Sequence, residues 1–343
     1  MDYKGIYKIF DAEKINTYPV SERTNKSKLS DLLRLEDIDE MSFDVSEEAE
    51  VNLTLLAREI IAAREKNSPV IFFTGGHLVK NGLSGLLGDL VKRGLFTMIS
   101  GNAATSIHDF ELALIGETSE YVPQALEKGQ FGMAYEFNYI NAALTLGDKN
   151  CLGYGEAVGK MICDELFRDE VVKTLNPEHA SFEFMHPEIS LQAICYEKKV
   201  PMTIHVGIGT DVIDQHKFFD GRAKGGCSGR DFLIYTQEIS ELTKGGVVLN
   251  VGSAVTGPEV FLKAASMAGN IGNIPNGIIT ANFDLRSYNP DDFINENTVG
   301  YYYRDQKSIV TRVPQAYGGQ GYYIGGNQKQ TIPLLYKKLL QLL

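Results

Sequence analysis

Short, wholly apolar runs alternate along this chain with longer amphipathic ones. Four times, an apolar run ends in a turn that contains glycine and is followed by apolar positions at helical spacing. These units begin at "PVIFFTGG", "LFTMISGN", "PMTIHVGIG" and "GGVVLNVGS". Short apolar strands that alternate with helices are typical of a parallel sheet buried on both faces. The pattern therefore predicts an α/β fold, a parallel sheet with helices on both faces.

The chain before the first unit divides into two parts. Residues 1–45 are polar and mixed in charge, with scattered apolar positions, and we expect an N-terminal arm there and not a core element. From Ser46 the segment "SEEAEVNLTLLAREIIAAREKN" has an N-cap residue, early acids and helical apolar spacing, which predict a helix. Residues 46–343 are predicted to form a single α/β domain.

The C-terminal part gives weaker signals. The run "GIITANFD" is expected to end a further strand, and "TVGYYYRD" to be an edge strand with exposed tyrosines. The glycine pairs of "QAYGGQGYYIGGNQKQ" favour a bent loop over a regular strand. Such a loop would cover a site or contact another subunit.

Composition narrows the classes of partner. The formal net charge of -11, with no basic cluster, argues against nucleic-acid binding. No run approaches the roughly 18 apolar residues of a membrane span. The four cysteines lie far apart, with no CxxC pair, so neither a disulfide framework nor a zinc ribbon is indicated. We expect a soluble, cytoplasmic protein that acts on a small molecule.

The glycine turns are the candidate ligand site. Ligands of parallel sheets bind at the carboxyl ends of the strands, and glycines there let a backbone approach a ligand closely. The cofactor-binding candidates are Gly75, Gly76, His77, Gly101, Asn102, Ala103, Gly209, Thr210, Asn250, Gly252, Ser253, Asn282 and Asp284. An acid such as Asp284, near a strand end, can bind ribose hydroxyls. No turn reads GxGxxG, so turn formation and tight helix packing stay open as alternatives.

Chemically active side chains follow the same turns. The catalytic candidates are His108, His205, Asp109, Asp211 and Lys80, and the substrate-binding candidates are Glu136, Asn141 and His216. Imidazole titrates near neutrality and suits a general base, whereas a carboxylate would hold a cationic amine. Helix capping, a core histidine and a solvated lysine are the structural alternatives. We predict no metal, because the spacing matches no metal template.

The order of these segments resembles deoxyhypusine synthase. The resemblance is carried by "FFTGGHLVKNGLSGLLGDLVKRGLF", "MISGNAATSIHDFEL", "KKVPMTIHVGIGTD" and "TKGGVVLNVGSAV", within residues 50–290. The GNAxxxxHDxE pattern is also similar to the ornithine cyclodeaminase domain of arginine-degrading enzymes. Both resemblances imply an NAD-binding fold in which NAD removes hydride from a carbon bearing an amine, giving an imine that is captured or cyclised. They also imply a homotetramer.

One departure from the deoxyhypusine synthase pattern changes the expected reaction. That family carries its imine-forming lysine in the turn that corresponds to residues 252–257, and this turn has no lysine here. Transfer of an aminobutyl group to a protein lysine is therefore not expected. Two alternatives stay open: an NAD-dependent enzyme acting on a hydroxyl of a sugar or nucleoside, and a nucleotide-binding module without catalysis.

Overall fold

A six-stranded parallel sheet forms the centre of the fold. The computed structural model describes residues 3–175 and 182–343. Its strands are β1 Asn25–Lys28, β2 Val70–Thr74, β3 Met98–Asn102, β4 Glu117–Glu120, β5 Met202–His205, β6 Val247–Val251, β7 Ile279–Asp284 and β8 Gln320–Gly325. The sheet has the order β5-β3-β2-β6-β7-β8, and β1 pairs with β4 in a separate antiparallel ribbon. The predicted parallel α/β architecture is confirmed.

Helices connect and cover the strands. Within the described residues they are α1 Glu47–Glu65, α2 Gly76–Lys80, α3 Ser84–Lys92, α4 Ala103–Ile115, α5 Val122–Glu127, α6 Phe137–Lys149, α7 Tyr154–Cys163, α8 Glu165–Leu175, α9 Leu191–Lys198, α10 Gly221–Ser240, α11 Thr256–Asn270, α12 Val313–Ala316 and α13 Gln328–Leu342. The helix α1 begins as its sequence predicts, because the Ser46 side chain accepts a hydrogen bond from Ala49 N. None of the helices in these described ranges is long and apolar enough to cross a bilayer.

Alternate side chains of the central strands enter two hydrophobic cores. Phe72 belongs to the larger core, which includes the apolar face of α1. Phe73 belongs to the second core, together with Tyr235 of α10 and Phe261 of α11. Burial of one such side chain stabilises the fold by about 1.5–3 kcal/mol. Both faces of the sheet are thus covered, which explains why the strands are apolar at every position.

The strand order places a topological switch at the centre of the sheet. From β2 the chain adds β3 and then β5 on one side, and it returns to add β6, β7 and β8 on the other. Counted in chain order, the strands of this sheet lie 3-2-1-4-5-6, the arrangement in which doubly wound proteins bind dinucleotides. At the switch, Gly75 N donates a hydrogen bond to Val251 O at 3.0 Å. The turns after β2 and β6 therefore lie side by side.

The C-terminal segments differ from two of the predictions. The predicted bent loop contains the regular strand β8, which pairs with β7 over six positions. Its glycines allow close packing, since a methyl group on Gly321 would lie 2.0 Å from Val310 O. The segment predicted as an edge strand contains the short 3-10 turn Gly300–Tyr302, and a π-helix, Gln306–Arg312, follows it. Tyrosines and glycines were thus misleading as local signals.

The N-terminal arm is more integrated than its composition predicts. Val20 and Ile38 are buried in the larger core, with 4% and 2% of their surface exposed. Tyr18 forms a β-bridge with Ala134, and β1 pairs with β4. The expectation of an arm without core residues is therefore corrected.

Candidate functional site

Two cavities flank the helix α2 at the carboxyl edge of the sheet. We call the first the β3-side cavity; it encloses about 270 Å³ beside α4, and its lining includes Lys80, His108 and Asp211. We call the second the β6-side cavity; it encloses about 360 Å³, and its lining includes His77 and Gly252. The two cavities lie on opposite sides of the switch between β2 and β6. This is where the fold predicts a ligand.

The glycines after β2 serve close packing between three segments. A methyl group on Gly75 would lie 2.3 Å from Gly252 O, which is closer than atoms can approach. A methyl group on Gly76 would lie 3.0 Å from Ala104 Cβ and 3.1 Å from His108 Cδ2. The packing alternative therefore accounts for both glycines, and the same packing brings His108 up to α2.

The β6-side cavity contains an unpaired acceptor. The amide oxygen Oε1 of Gln328 is buried and makes no hydrogen bond among the described residues. Gly252, with φ at 66°, faces this amide, because a methyl group there would lie 3.8 Å from Oε1. A buried polar atom normally has a partner. A ligand that donates a hydroxyl or amino hydrogen would satisfy Gln328.

The β3-side cavity is built around His108. The Nδ1 atom of His108 lies 2.7 Å from Thr118 Oγ1, and this hydroxyl donates a hydrogen bond to Glu111. Glu111 also forms an ion pair with Arg23, and only 4% and 3% of these two side chains are exposed. Four residues from three segments of the chain thus form one continuous polar contact.

The charges in this contact keep Glu111 ionised. Burial acts to raise the pKa of Glu111, but the neighbouring imidazole, guanidinium and hydroxyl groups together lower it below its usual value. Arg23 also lies over the ring of Phe137, with its guanidinium carbon 5.6 Å from the ring centroid. Neither Arg23 nor Thr118 was a sequence candidate, because a polar arm and a lone threonine carry no local signal.

The loop after β5 is held by a buried lysine that the sequence did not single out. Lys224 of α10 donates hydrogen bonds to Asp211 at 2.7 Å, to Asp214 at 2.6 Å and to Gly207 O at 3.1 Å. Only 1% of the Lys224 side chain is exposed. Burial raises the pKa of Asp211, and the ammonium opposes this rise.

Other candidates complete the β3-side cavity. Lys80 lines it, and no residue in the described ranges forms an ion pair with its ammonium. Thr210 also lines it, next to the exposed Gly209, whose φ is 81°. Glu136, a predicted substrate-binding residue, does not line the cavity, and its carboxylate accepts a hydrogen bond from Val20 N at 2.8 Å. Burial raises the pKa of Glu136. The apolar part of the cavity lining is formed by five side chains: Ile107, Val122, Phe131, Phe137 and Val212.

Asp109 lies away from both cavities, buried behind α4. Its carboxylate accepts hydrogen bonds from Ser190 Oγ, Leu191 N and Gln192 N at 2.6, 2.7 and 3.1 Å. These donors stand at the beginning of α9, so Asp109 satisfies the first turn of that helix. We assign it a structural role in place of the predicted catalytic one.

His205 is a core residue. Burial lowers its pKa to about 3, so its imidazole is neutral at physiological pH. Its ring stacks on Phe73, with 5.5 Å between centroids, and Nε2 lies 3.2 Å from Thr203 Oγ1. It lines neither cavity. His108 is therefore the better placed of the two predicted bases.

Two of the predicted substrate-binding residues form hydrogen bonds to the backbone of neighbouring loops. Asn141 donates a hydrogen bond to Ile213 O at 2.8 Å, and His216 Nε2 donates to Gly132 O at 2.8 Å. Both side chains are buried. Neither Asn141 nor His216 lines the β3-side or the β6-side cavity, so the predicted substrate contacts are not supported there.

The predicted cofactor-binding residues in the turn after β3 have structural roles. Asn102 caps α4, because its side chain accepts a hydrogen bond from Thr105 N at 3.1 Å. A methyl group on Gly101 would lie 2.8 Å from Thr105 Oγ1, and Ala103 is 1% exposed. These three small or capping residues thus shape α4 and do not face a cavity.

The polar residues at the ends of β6 and β7 bond to one another. Asn250 donates hydrogen bonds to Ser253 O and to Asn282 Oδ1, at 2.9 and 2.7 Å, and the Ser253 hydroxyl accepts one from Gly257 N. Asn250, Ser253 and Asn282 line neither cavity, whereas the neighbouring Gly252 lines the β6-side cavity.

Asp284 lines the β6-side cavity, but its acceptor positions are occupied. Its carboxylate accepts hydrogen bonds from Leu285 N, from Arg286 N and Nε, and from Gln306 Nε2. These bonds hold the pKa of Asp284 below its usual value, against the effect of burial. The predicted ribose contact through Asp284 therefore has no free oxygen position, and Gln328 offers one in the same cavity.

The described part of the chain contains no cluster of three or more His, Cys, Asp or Glu side chains arranged to hold a metal ion.

Comparison with known proteins gives similarity only at the level of architecture. No family model matches the sequence, and no curated protein matches it. Similar solved structures include apo ArgZ, an arginine dihydrolase from the ornithine-ammonia cycle in cyanobacteria, at a TM-score of 0.48 and 15% identity over 87% of this chain. This chain spans 32% of the ArgZ chain.

Two further structures are similar to a comparable degree. One is a conserved LOR/SDH protein from Methanococcus maripaludis S2, described as putative, with a TM-score of 0.48 and 15% identity, covering 88% of this chain and 73% of that one. The other is described as a putative deoxyhypusine synthase from Entamoeba histolytica, with a TM-score of 0.46 and 9% identity, covering 95% and 97%.

Proposed function

We propose that this protein is an NAD-dependent enzyme that oxidises a small amine, such as a polyamine or an amino acid, to an imine that is then captured or cyclised. One observation carries the proposal: two cavities flank α2 at the switch point of a 3-2-1-4-5-6 sheet, and one of them presents an imidazole. A doubly wound sheet with this order binds a dinucleotide across the same crevice.

The residues of the crevice fit NAD. In the β6-side cavity, Gln328 Oε1 would accept a hydrogen bond from a ribose hydroxyl or an adenine amino group. Gly252 and Gly326, both at positive φ, leave the backbone accessible there. Asn81 and His77 would supply further polar contacts. When bound, NAD supplies the two-electron oxidant for the carbon that carries the amine.

The chain itself supplies the proton chemistry in the β3-side cavity. His108 engages Thr118 through Nδ1, and no described residue hydrogen-bonds its Nε2. We assign Nε2 as the atom that takes the proton of the substrate amine. The apolar walls of Ile107, Phe131 and Val212 would exclude water from the reacting carbon.

Asp211 is the proposed partner of a cationic amine. Its Oδ2 accepts hydrogen bonds from Lys224 at 2.7 Å and from Thr210 at 3.3 Å. Because Asp211 lines the β3-side cavity, its carboxylate would attract a substrate ammonium. Lys80, whose ammonium has no ion-pair partner among the described residues, would hold an anionic group of the substrate or of the cofactor.

Calorimetric titration with NAD and with NADH tests cofactor binding. We expect saturable binding that weakens at least severalfold in Gln328→Leu, because its unpaired acceptor is lost. Lys329→Leu is the matched control, since Lys329 is the exposed neighbour of Gln328 and lies outside the cavity. Absence of binding to the wild-type protein at a large excess of either nucleotide would overturn the proposal.

NADH production on a panel of amines and alcohols tests the reaction. We expect turnover of an amine, and a reduction of about a hundredfold to ten thousandfold in His108→Ala without loss of NAD affinity. If the protein oxidises alcohols but no amine, it belongs to the alternative class of enzymes that act on a hydroxyl group. With spermidine and the hypusine-precursor protein we expect no labelled protein product, because residues 252–257 contain no lysine.

A further inference from the structure

We propose that Arg23, supplied by the N-terminal arm, is a positioning residue that determines which ring nitrogen of His108 is free to take a proton. The contact from Arg23 through Glu111 and Thr118 to His108 carries the proposal. Its importance for turnover rests on the proposed function, in which His108 Nε2 is the proton acceptor.

Counting protons fixes the direction of each hydrogen bond. An ionised carboxylate can only accept, so Thr118 gives its single hydroxyl proton to Glu111. The lone pairs of Thr118 Oγ1 then receive the bond from His108, at 2.7 Å, which places the proton on Nδ1. A neutral imidazole carries one ring proton. Nε2 is therefore the unprotonated nitrogen.

Arg23 maintains this direction because it keeps Glu111 ionised. Both side chains are almost fully buried, and a buried carboxylate without a counter-charge becomes protonated. A protonated Glu111 would donate to Thr118, and Thr118 would then donate to His108 Nδ1. The ring proton would move to Nε2. Loss of Arg23 would thus reverse every hydrogen bond in the series.

Other titratable and charged groups surround Glu111 without replacing Arg23. The imidazole of His108 lies beside it, with Nδ1 3.5 Å from Glu111 Oε2, and in its neutral form it supplies no counter-charge. Tyr18 of the arm lies near enough to feel its charge, and Glu120 and Asp211 line the same cavity with a negative sign. Lys80 of α2 lines the cavity as well but forms no ion pair with Glu111 within the described ranges. Arg23 is the cation in direct contact.

The arm is anchored to two further glutamates around the cavity. The Tyr18 hydroxyl donates to Glu120 at 2.8 Å, and Val20 N donates to Glu136 at 2.8 Å. With the Arg23 contact, residues 18–23 meet three carboxylates in succession. This anchoring fixes the guanidinium against Glu111.

The tautomer of His108 can be read by NMR without NAD or substrate. Long-range nitrogen-proton spectra of protein labelled with 15N-histidine distinguish the two tautomers, and His108→Gln identifies the signal among the six histidines. We expect the Nδ1-H tautomer in the wild-type protein and in Arg23→Lys, which keeps the charge. In Arg23→Gln we expect the Nε2-H tautomer.

A wild-type Nε2-H tautomer, or an unchanged Nδ1-H tautomer in folded Arg23→Gln, would overturn the proposal. If Arg23→Gln does not fold, the double variant Arg23→Met/Glu111→Leu decides, because it removes the buried ion pair as a whole and leaves Thr118 free to donate to His108. We expect the Nδ1-H preference to be lost in that variant, and its retention would equally overturn the proposal. Since the spectra need no ligand, they can fail or succeed independently of the NAD and turnover tests.

Discussion

Replacing the buried Lys224 by Met tests the electrostatics of the site most directly. The substitution keeps an unbranched side chain but removes the ammonium that contacts Asp211 and Asp214 at 2.7 and 2.6 Å. Two carboxylates, with 13% and 4% of their side chains exposed, would then lie close together without a cation. Breaking a buried pair in this way costs about 3–5 kcal/mol.

The loss should depend on pH in a defined direction. Burial already raises the pKa of Asp211, and removal of the ammonium raises it further. A carboxyl group whose pKa is higher in the folded state binds its proton preferentially there. The protonated carboxyl group therefore favours the folded state at low pH, and this contribution to the free energy of unfolding is lost as pH rises through the folded-state pKa. The deficit of Lys224→Met should grow between about pH 5 and about pH 8.

Urea unfolding followed by circular dichroism at both pH values measures the effect. Arg222→Met is the matched control, because Arg222 lies on the same helix with 95% of its side chain exposed, and its cost should stay within about 0.5 kcal/mol. A deficit below about 1 kcal/mol in Lys224→Met at both pH values would refute the reasoning.

Three further predictions follow from the placement of the candidates. Asp109→Asn should cost about 1–3 kcal/mol in urea unfolding, because hydrogen bonds at the start of α9 are lost, and it should leave NAD affinity unchanged; a normal stability with lost affinity would contradict this. The pKa of His205 is lowered to about 3 in the folded protein, so its imidazole binds a proton more readily in the unfolded chain. The stability of the wild-type protein should therefore fall as pH drops below about 6.5. In His205→Gln, roughly 2–3 kcal/mol of this loss should be absent at about pH 4.5. Equal acid dependence in both proteins would show that His205 takes up a proton normally. Ala104→Leu should fill the β3-side cavity beside Gly76 and lower turnover of the amine by at least tenfold, whereas unchanged turnover would place the reacting amine elsewhere.

The sequence predicted the sheet more accurately than the site. Continuous apolar runs such as "PVIFFTGG" leave little choice but a strand buried on both faces. The order of the strands depends on pairing between distant segments, which no local pattern contains. The strand β8 was missed because glycine pairs usually indicate loops, and here the glycines permit close approach of Gly321 to Val310.

Within the candidate site, the sequence identified residues near turns but not their partners. His108 and Asp211 follow strand ends, so their positions could be inferred. Asp109 is adjacent to His108 in sequence but faces α9, and which of the two faces the cavity is a difference that the sequence does not give. Arg23 and Lys224 are defined only by the carboxylates they meet across the fold. Long-range charge pairing is the information that a single sequence lacks.

The contacts of residues 18–23 also set an order of events during synthesis. Their partners follow by 102, 116 and 88 positions, for Tyr18 with Glu120, Val20 with Glu136 and Arg23 with Glu111. A ribosome adding about 5–20 residues per second would expose the arm for several seconds before its partners emerge. Residues 18–23 therefore reach their places beside the cavity only after α4 and β4 have left the ribosome.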